Sequence, residues 1–169
     1  MPELQRLRTD HGPAILEFER VNRGFFTEFI SDRGEEYFEH FDERYDALLA
    51  DQAAGNGAYY VLVGEDGSVW GRFNLIFEDG GATLGYRVAE QVAGRGVATA
   101  AVRDLCALAA WEYDVSTVRA ATSTGNIASQ RVLLKAGFRP VGPADPAHVG
   151  GKQGTWYRLD VVPGSDPGA

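Results

Sequence analysis

Two glycines one residue apart, Gly94 and Gly96, join a hydrophobic segment to an alanine-rich helical pattern within AEQVAGRGVATAAVRDLCALAAWEY, residues 89–113. The first turn of this helix carries little but small side chains. Either the backbone needs the room to turn, or a negatively charged group approaches the helix. Glycines at such a junction leave successive N–H groups uncovered at the positive end of a helix, where a pyrophosphate binds favourably. The junction therefore restricts the chain to folds in which a strand turns tightly into a helix.

The segments on either side of the glycines show which elements they join. Residues 58–63, 69–77 and 82–89 read as three strands joined by the tight turns GEDGS and EDGG, which predicts an antiparallel meander. The helix after Gly96 runs to about Glu112, with apolar residues on one face, and residues 117–123 form another strand. The glycine turn therefore follows an antiparallel meander and precedes a single further strand.

The rest of the chain predicts an α+β domain. Residues 4–8 are an opening strand, residues 14–30 a helical pattern broken at Gly24, and residues 34–55 a second helical region that stops at Gly55. A short helix follows Asn126 and ends at Gly137, and residues 138–142 and 155–161 are closing strands. Because there are no repeats and no internal linker, we expect a single domain over residues 1–162 and a flexible tail over residues 163–169.

Composition limits the classes of partner. The 169 residues carry a net charge of −8, which disfavours a non-specific nucleic-acid binder and suits a cationic small molecule, a basic peptide or simply a soluble surface. The absence of a leader and of a long apolar run predicts a soluble, cytoplasmic protein with no membrane partner. The lone cysteine, Cys106, lies in the apolar helix pattern, so we expect a core thiol rather than a nucleophile.

Three nucleotide-binding chemistries place glycines between a strand and a helix. The dinucleotide pattern G-x-G-x-x-G/A has Thr99 at its third position here, its acidic candidate Asp114 precedes the next strand, and the antiparallel meander does not suit that fold. A phosphate loop needs G-K-[ST], and the sequence has none. The third pattern, [QR]-x-x-G-x-[GA], is matched by Gln91, Gly94 and Gly96. Only this third pattern is consistent with the elements around it.

At these residues the chain resembles the GCN5-related N-acetyltransferase (GNAT) superfamily. The likeness covers nearly the whole chain and includes LGYRVAEQVAGRGVATAAVRDLCALAA and NIASQRVLLKAGF, two motifs in the right order with one strand between them. The opening LRTDHGPAILEFERVNRGFFTEFI and the central strands are similar to the branch that acetylates the amino termini of ribosomal proteins. The resemblance implies a mixed, mostly antiparallel sheet splayed in the middle, with helices on both faces.

The resemblance also implies acetyl-CoA as co-substrate and no metal. Backbone groups of the strand before the turn would pair with the pantetheine arm, and the amides of residues 92–98 would bind the pyrophosphate. Asn126 matches the family asparagine that hydrogen-bonds the arm, although an asparagine there also caps a helix unaided. The expected cofactor-binding residues are Tyr86, Arg87, Val88, Gln91, Val92, Gly94, Arg95, Gly96, Val97, Ala98, Asn126, Ser129 and Arg131.

The implied chemistry is direct attack of an amine on the thioester, since the chain offers no cysteine nucleophile. Ser129 is the candidate proton donor to the departing thiolate. Alternatively, it is only a small polar residue in the first turn of a helix. A terminal amine with a pKa of about 8 is roughly a tenth neutral near pH 7, so a weak base acting through water suffices. Glu78 is our candidate base, and His148 is another; either is equally a solvated loop residue.

Three readings of the function remain open. The first is acetylation of a protein α-amine, in particular that of a ribosomal protein. The second keeps the chemistry but changes the acceptor to an aminoglycoside or polyamine, as the acidic residues 34–52 suggest, although a solvated face also explains them. The third is a module that binds acetyl-CoA without turnover. The branch also suggests a homodimer, for which the sequence offers only the aromatic residues Phe25, Phe26 and Trp70, which suit a core equally well.

Overall fold

The computed structural model describes residues 1–164, so residues 165–169 of the predicted tail lie outside the described part. Within residues 1–164 the chain forms seven strands and six helices. The strands are β1 (Glu3–Arg6), β2 (Gly57–Val63), β3 (Val69–Glu78), β4 (Gly81–Val88), β5 (Thr117–Ser123), β6 (Arg139–Ala144) and β7 (Gly154–Asp160). The helices are α1 (Gly12–Val21), α2 (Arg23–Thr27), α3 (Glu35–Glu39), α4 (Phe41–Ala53), α5 (Val97–Glu112) and α6 (Ile127–Lys135).

The strands form one open sheet in the order β1-β2-β3-β4-β5-β7-β6. It is mixed and mostly antiparallel, with helices on both faces, as predicted. The pair β4 and β5 is parallel, and its ladder joins Gly81, Ala82 and Thr83 to Thr117, Val118 and Arg119. Strand β4 continues to Val88 and β5 to Ser123 beyond this ladder, in agreement with the predicted splay.

The chain divides into two compact units, each made of segments that are discontinuous in sequence. The first contains Met1–Asn74 and Tyr86–Val92, and the second contains Leu75–Gly85 and residues 93–164. The first unit has an aromatic core formed by residues of its helices and strands: Phe18, Phe26, Tyr37, Phe41, Tyr45, Tyr59 and Phe73. The second unit buries small and branched side chains of α5, α6 and β5: Ala101, Val102, Leu105, Ala109, Leu133 and Val118.

Two helix boundaries in the first unit differ from the prediction. The first helical pattern breaks at Asn22, not at Gly24, which lies inside α2. The buried side chain of Asn22 donates to the Phe18 carbonyl at 2.9 Å and accepts from the Glu90 N–H at 2.9 Å, so it competes with the helical hydrogen bonds. The second helical region is two helices that meet at His40, and Tyr37 on the first of them is buried.

The remaining predicted elements of the second unit are confirmed. Helix α5 begins after Gly96 and ends at Glu112, and Cys106 on it is buried, as predicted. Helix α6 is capped by Asn126, and Gly137 after it has a φ of 98°. In the described residues no helix is long and apolar enough to span a membrane.

Candidate active site

The glycine turn has the backbone conformation that its sequence predicts. Gly94 and Gly96 both have a φ of 77°, the left-handed region that side chains with a Cβ rarely adopt. Gly96 is the residue that caps the amino terminus of α5. No atom lies within 4 Å of the position that a Cβ would take at either glycine, so the space above the turn is open.

The first amides of α5 follow this open turn. The earliest hydrogen bond at its start runs from the Ala100 N–H to the Gly96 carbonyl at 3.1 Å, so the N–H groups of residues 97–99 precede the helical ladder. Gln91 and Arg95 are exposed on the turn, whereas Val97 and Ala98 are half-buried. A sixteen-residue helix thus presents its positive end to an uncovered space.

Val92 differs from the other predicted pyrophosphate ligands. Its N–H donates to the Ala89 carbonyl at 3.1 Å, inside a short 3₁₀ turn over Glu90–Val92, and its side chain is buried. A backbone donor that is already used inside a turn is not presented to a ligand. The Val92 N–H is therefore engaged within the chain, whereas its predicted role as a pyrophosphate donor needs it to be available.

Asn126 and Ser129 are brought together at the start of α6. The Asn126 Oδ1 accepts a hydrogen bond from the Ser129 N–H at 3.2 Å, which is the helix-capping geometry. Both side chains are half-buried, and Arg131, two residues further on, is exposed. Helix α6 lies against α5, where the Arg103 side chain donates to the Lys135 carbonyl at 2.6 Å. The capped end of α6 and the glycine turn thus belong to the same unit.

The candidate bases lie in different surroundings. Glu78 is the last residue of β3 and is exposed, just before Asp79, whose φ is 48°. His148 is exposed beside β7, with its ring centroid 5.2 Å from that of Trp156. Trp156 also contacts the guanidinium of Arg119 at 4.2 Å.

Asp114 has a structural task that explains its position. Its φ of 55° follows the last turn of α5, and the Val115 N–H donates to the Ala109 carbonyl at 3.2 Å. This is the pattern in which a left-handed residue ends a helix. Asp114 therefore belongs to the turn that terminates α5 after Glu112. This structural role explains an acidic residue at this position without a dinucleotide site.

A family model described as an acetyltransferase (GNAT) domain matches residues 3–139 of the chain. The chain belongs to the GNAT family. It is therefore an acetyltransferase domain, and enzymes of this family use acetyl-CoA. The residues present suit that molecule, because the two left-handed glycines hold open the space before the positive end of α5.

Solved structures of GNAT enzymes share this fold. Ribosomal-protein-S5-alanine acetyltransferase from Vibrio fischeri is 17% identical with a TM-score of 0.85, over 94% of this chain and 92% of that one. RimJ from Mycobacterium smegmatis, in complex with CoA-disulfide, is 18% identical with a TM-score of 0.82, over 94% and 81%. Spermidine N-acetyltransferase from Vibrio cholerae, in complex with CoA and spermine, is 14% identical with a TM-score of 0.77, over 94% and 95%. No curated protein sequence matches the chain.

One charged cluster of this GNAT domain was not predicted from the sequence. Glu19 on α1 is 1% exposed and contacts Arg33 through two hydrogen-bonded pairs of atoms at 3.0 Å each. Arg72 contacts it at 2.9 Å and Arg87 at 3.4 Å. Burial by itself would raise the pKa of Glu19, but Arg33, Arg87 and Arg72 together hold it below the usual range.

A sequence signal for this cluster existed. Glu19 follows Ile15 by four residues and Phe18 by one, and both of these are buried on the same stripe of α1. An acidic residue in an apolar stripe is buried only if it is paired with cations. The partner arginines lie on β3, on β4 and in the segment before α3. The pattern of α1 alone does not reveal them.

Proposed function

We propose that this chain transfers an acetyl group from acetyl-CoA to the α-amine of a protein amino terminus, in particular that of a ribosomal protein. The observation that carries the proposal is the glycine turn, whose open space lies before the uncovered amides of α5. The GNAT family match supports acetyl-CoA as the molecule that this turn serves. The likeness to ribosomal-protein-S5-alanine acetyltransferase supports the acceptor.

For the cofactor, we propose that the amides after Val92, including those of Gly94, Arg95, Gly96, Val97 and Ala98, bind the pyrophosphate. The exposed side chains of Gln91, Arg95 and Arg131 lie on the turn and on α6, where a charged nucleotide end can meet them. Backbone groups of Tyr86, Arg87 and Val88 would pair with the pantetheine arm as an added strand does. The Asn126 Nδ2 group is the proposed donor to the arm, because its Oδ1 already caps α6.

Acetyl-CoA supplies the activated acetyl group as a thioester. The amine nitrogen forms the new bond to the carbonyl carbon, the bond from carbon to sulfur breaks, and the thiolate leaves with a proton. We assign that proton to the Ser129 hydroxyl, on the first turn of α6, and the serine oxygen then regains a proton from water. Backbone N–H groups of the splayed strand stabilise the oxygen that gains negative charge.

The deprotonation of the amine requires little from the enzyme if the acceptor is an α-amine. A lysine with a pKa near 10.4 is neutral only at about the 10⁻³ to 10⁻⁴ level near pH 7, whereas a terminal amine is roughly a tenth neutral. Water relayed to an exposed carboxylate then suffices, and Glu78 is the carboxylate we propose. A Glu78→Gln variant tests this role, and we expect it to lower kcat.

A small cationic amine is the competing acceptor. The likeness to spermidine N-acetyltransferase supports it, as do the exposed carboxylates of α3 and α4: Glu35, Glu36, Glu39, Asp42, Glu43 and Asp46. The paired Arg23, however, already neutralises Glu35, with 2.8 Å between Nη1 and Oε1. The α-amine is the acceptor we prefer because of the likeness to ribosomal-protein-S5-alanine acetyltransferase.

One acceptor panel tests the proposal. Initial rates of free CoA production are measured with peptides that begin with Ala or Ser, with the same peptides acetylated in advance, and with spermidine and an aminoglycoside. We expect CoA to be released only when the peptide amine is free. The rate with these peptides should exceed the rate with spermidine or with the aminoglycoside. A rate with peptide equal to the rate without it would disprove the α-amine acceptor, and faster turnover of spermidine would favour the alternative.

A further inference from the structure

A small cavity of the first unit opens beside the buried Glu19. Its walls include Arg33, Arg87, Phe26, Phe38 and Arg23, which come from the helical segments and from the end of β4. The enclosed part of the cavity has room for only about one water-sized group, so a terminal polar group can enter it but a ring or a nucleotide cannot.

The charges around this cavity are unequal. Arg23 is neutralised, since its Nε and Nη2 atoms donate to both oxygens of Asp32 at 2.9 and 2.7 Å and its Nη1 contacts Glu35. Among the described residues, the remaining guanidiniums of Arg33, Arg87 and Arg72 share the single carboxylate of Glu19. Together with Arg23, Asp32 and Glu35, the cluster has four guanidiniums and three carboxylates and therefore one net positive charge, within a protein whose net charge is −8.

The two arginines at the cavity keep donors for a further acceptor. The Arg87 guanidinium lies 4.8 Å from the centroid of Phe26, and that of Arg33 lies 4.7 Å from the centroid of Tyr37. Stacking occupies the face of a guanidinium and leaves its N–H groups in the plane for hydrogen bonds. Arg87 uses one of them for a contact of 3.4 Å to Glu19. Burial, followed by the repulsion of Arg33, lowers the pKa of Arg87 to about 10, while the attraction of Glu19 acts in the opposite direction.

We propose that this cavity binds the carboxylate of an acidic side chain close to the amino terminus of the acceptor peptide. A planar carboxylate matches the paired donors of a guanidinium, and the rings of Phe26 and Phe38 can contact its methylene groups. Arg87 lies within residues 86–88, the segment proposed to hold the cofactor arm, so the proposal places the acceptor peptide beside that segment. The inference rests on the proposed function and makes Arg33 a specificity-determining residue.

The test uses pairs of peptides that are identical except for Glu or Gln at the second, third or fourth residue. We expect kcat/KM about tenfold higher for the Glu peptide of at least one pair, as a charge-assisted hydrogen bond predicts. Arg33→Gln is expected to remove this preference, so that kcat/KM becomes equal for the Glu and Gln peptides. Arg20→Gln is the matched control: Arg20 is exposed on α1 and does not line the cavity, so the variant loses the same charge but keeps the preference.

Equal use of both peptides at all three positions would overturn the inference. So would an Arg20→Gln variant that loses the preference as fully as Arg33→Gln, because the effect would then be a general one of charge. Arg33→Lys is the second variant, which keeps the charge and the packing of the stem but loses the paired donors, and we expect it to retain a reduced preference.

A calorimetric titration of both peptides into the protein saturated with CoA separates this inference from the proposed function. If no peptide is acetylated but the Glu peptide binds more tightly through Arg33, the cavity is confirmed and the α-amine acceptor is wrong. If both peptides are acetylated and bind equally, the acceptor stands and the cavity is wrong. If neither peptide binds, both are wrong.

Discussion

The Oδ1 atom of Asn126 accepts a hydrogen bond from the backbone N–H of Ser129 at 3.2 Å, which fixes the amino terminus of α6. One interaction therefore caps the helix and orients the residue that carries the proposed proton donor. The side-chain amide of Asn126 has a second group, Nδ2, which we assign to acetyl-CoA. Because Oδ1 caps the helix and Nδ2 is assigned to acetyl-CoA, substitutions of Asn126 can remove one role and keep the other.

Asn126→Ala is expected to lower the free energy of unfolding by about 1 kcal/mol, because the cap is lost, and to raise the KM for acetyl-CoA. Asn126→Asp keeps an oxygen at the cap and places a negative charge at the positive end of α6, so stability is retained. It lacks the Nδ2 donor, so KM stays high. Urea unfolding and initial rates measure the two effects. A normal KM in Asn126→Asp would assign the residue to the cap alone.

Ser129→Ala is expected to lower kcat by roughly 10²-fold with little change in the KM for acetyl-CoA, since a general acid acts at the chemical step. The matched control is Ser116→Ala, which removes a hydroxyl from the same unit where it bonds the Gly80 carbonyl at 3.2 Å. We expect that control to keep kcat. An unchanged kcat in Ser129→Ala would remove the serine from the mechanism.

Gly96→Ala is expected to destabilise the protein by about 1 kcal/mol, because a φ of 77° is unfavourable for a residue with a Cβ. The added methyl group also enters the open space before α5, so the KM for acetyl-CoA rises. Gly24→Ala is the control, since it adds a methyl group with no atom within 4 Å, and inside a helix alanine is favoured. Thermal unfolding and acetyl-CoA titration measure both variants, and equal KM values would contradict the assignment.

Glu19→Gln is expected to reduce the free energy of unfolding by about 3 kcal/mol at neutral pH, because the buried Arg72 and the partly exposed Arg33 lose their negative partner. The folded pKa of Glu19 lies below its ordinary 4.5, so its stabilisation is present above that value and is lost as the pH falls through the lower folded pKa. Urea unfolding from pH 7 down to about pH 3 should therefore show the two proteins converging. A difference in the free energy of unfolding that stayed constant over this pH range would show that the ion pairs of Glu19 do not stabilise the folded protein.

Cys106 is expected to resist thiol reagents in the folded protein. Burial raises the pKa of its thiol to about 12, so the reactive thiolate is scarce near neutral pH. The modification rate should rise sharply when the chain is unfolded in denaturant. Cys106→Ala should keep kcat, because the amine attacks the thioester directly; loss of turnover without loss of folding would instead indicate an acetyl-enzyme.

Local patterns in the sequence determined most elements of this fold. The alternation of β2, β3 and β4, the tight turns between them and the apolar face of α5 are properties of neighbouring residues. The left-handed conformation of Gly94 and Gly96 also follows locally, because only glycine adopts it at little cost. The GNAT motifs could be identified for the same reason: they are short, ordered and built from turn and cap residues.

The tertiary structure decided what depends on residues far apart in the chain. The break of the first helical pattern falls at Asn22 because its side chain also accepts from the Glu90 N–H, 68 residues away. Glu19 is buried because Arg72 and Arg87 reach it from strands 53 and 68 residues further on. No local pattern encodes such partners, since the free energy of a buried charge depends on which cations surround it in space.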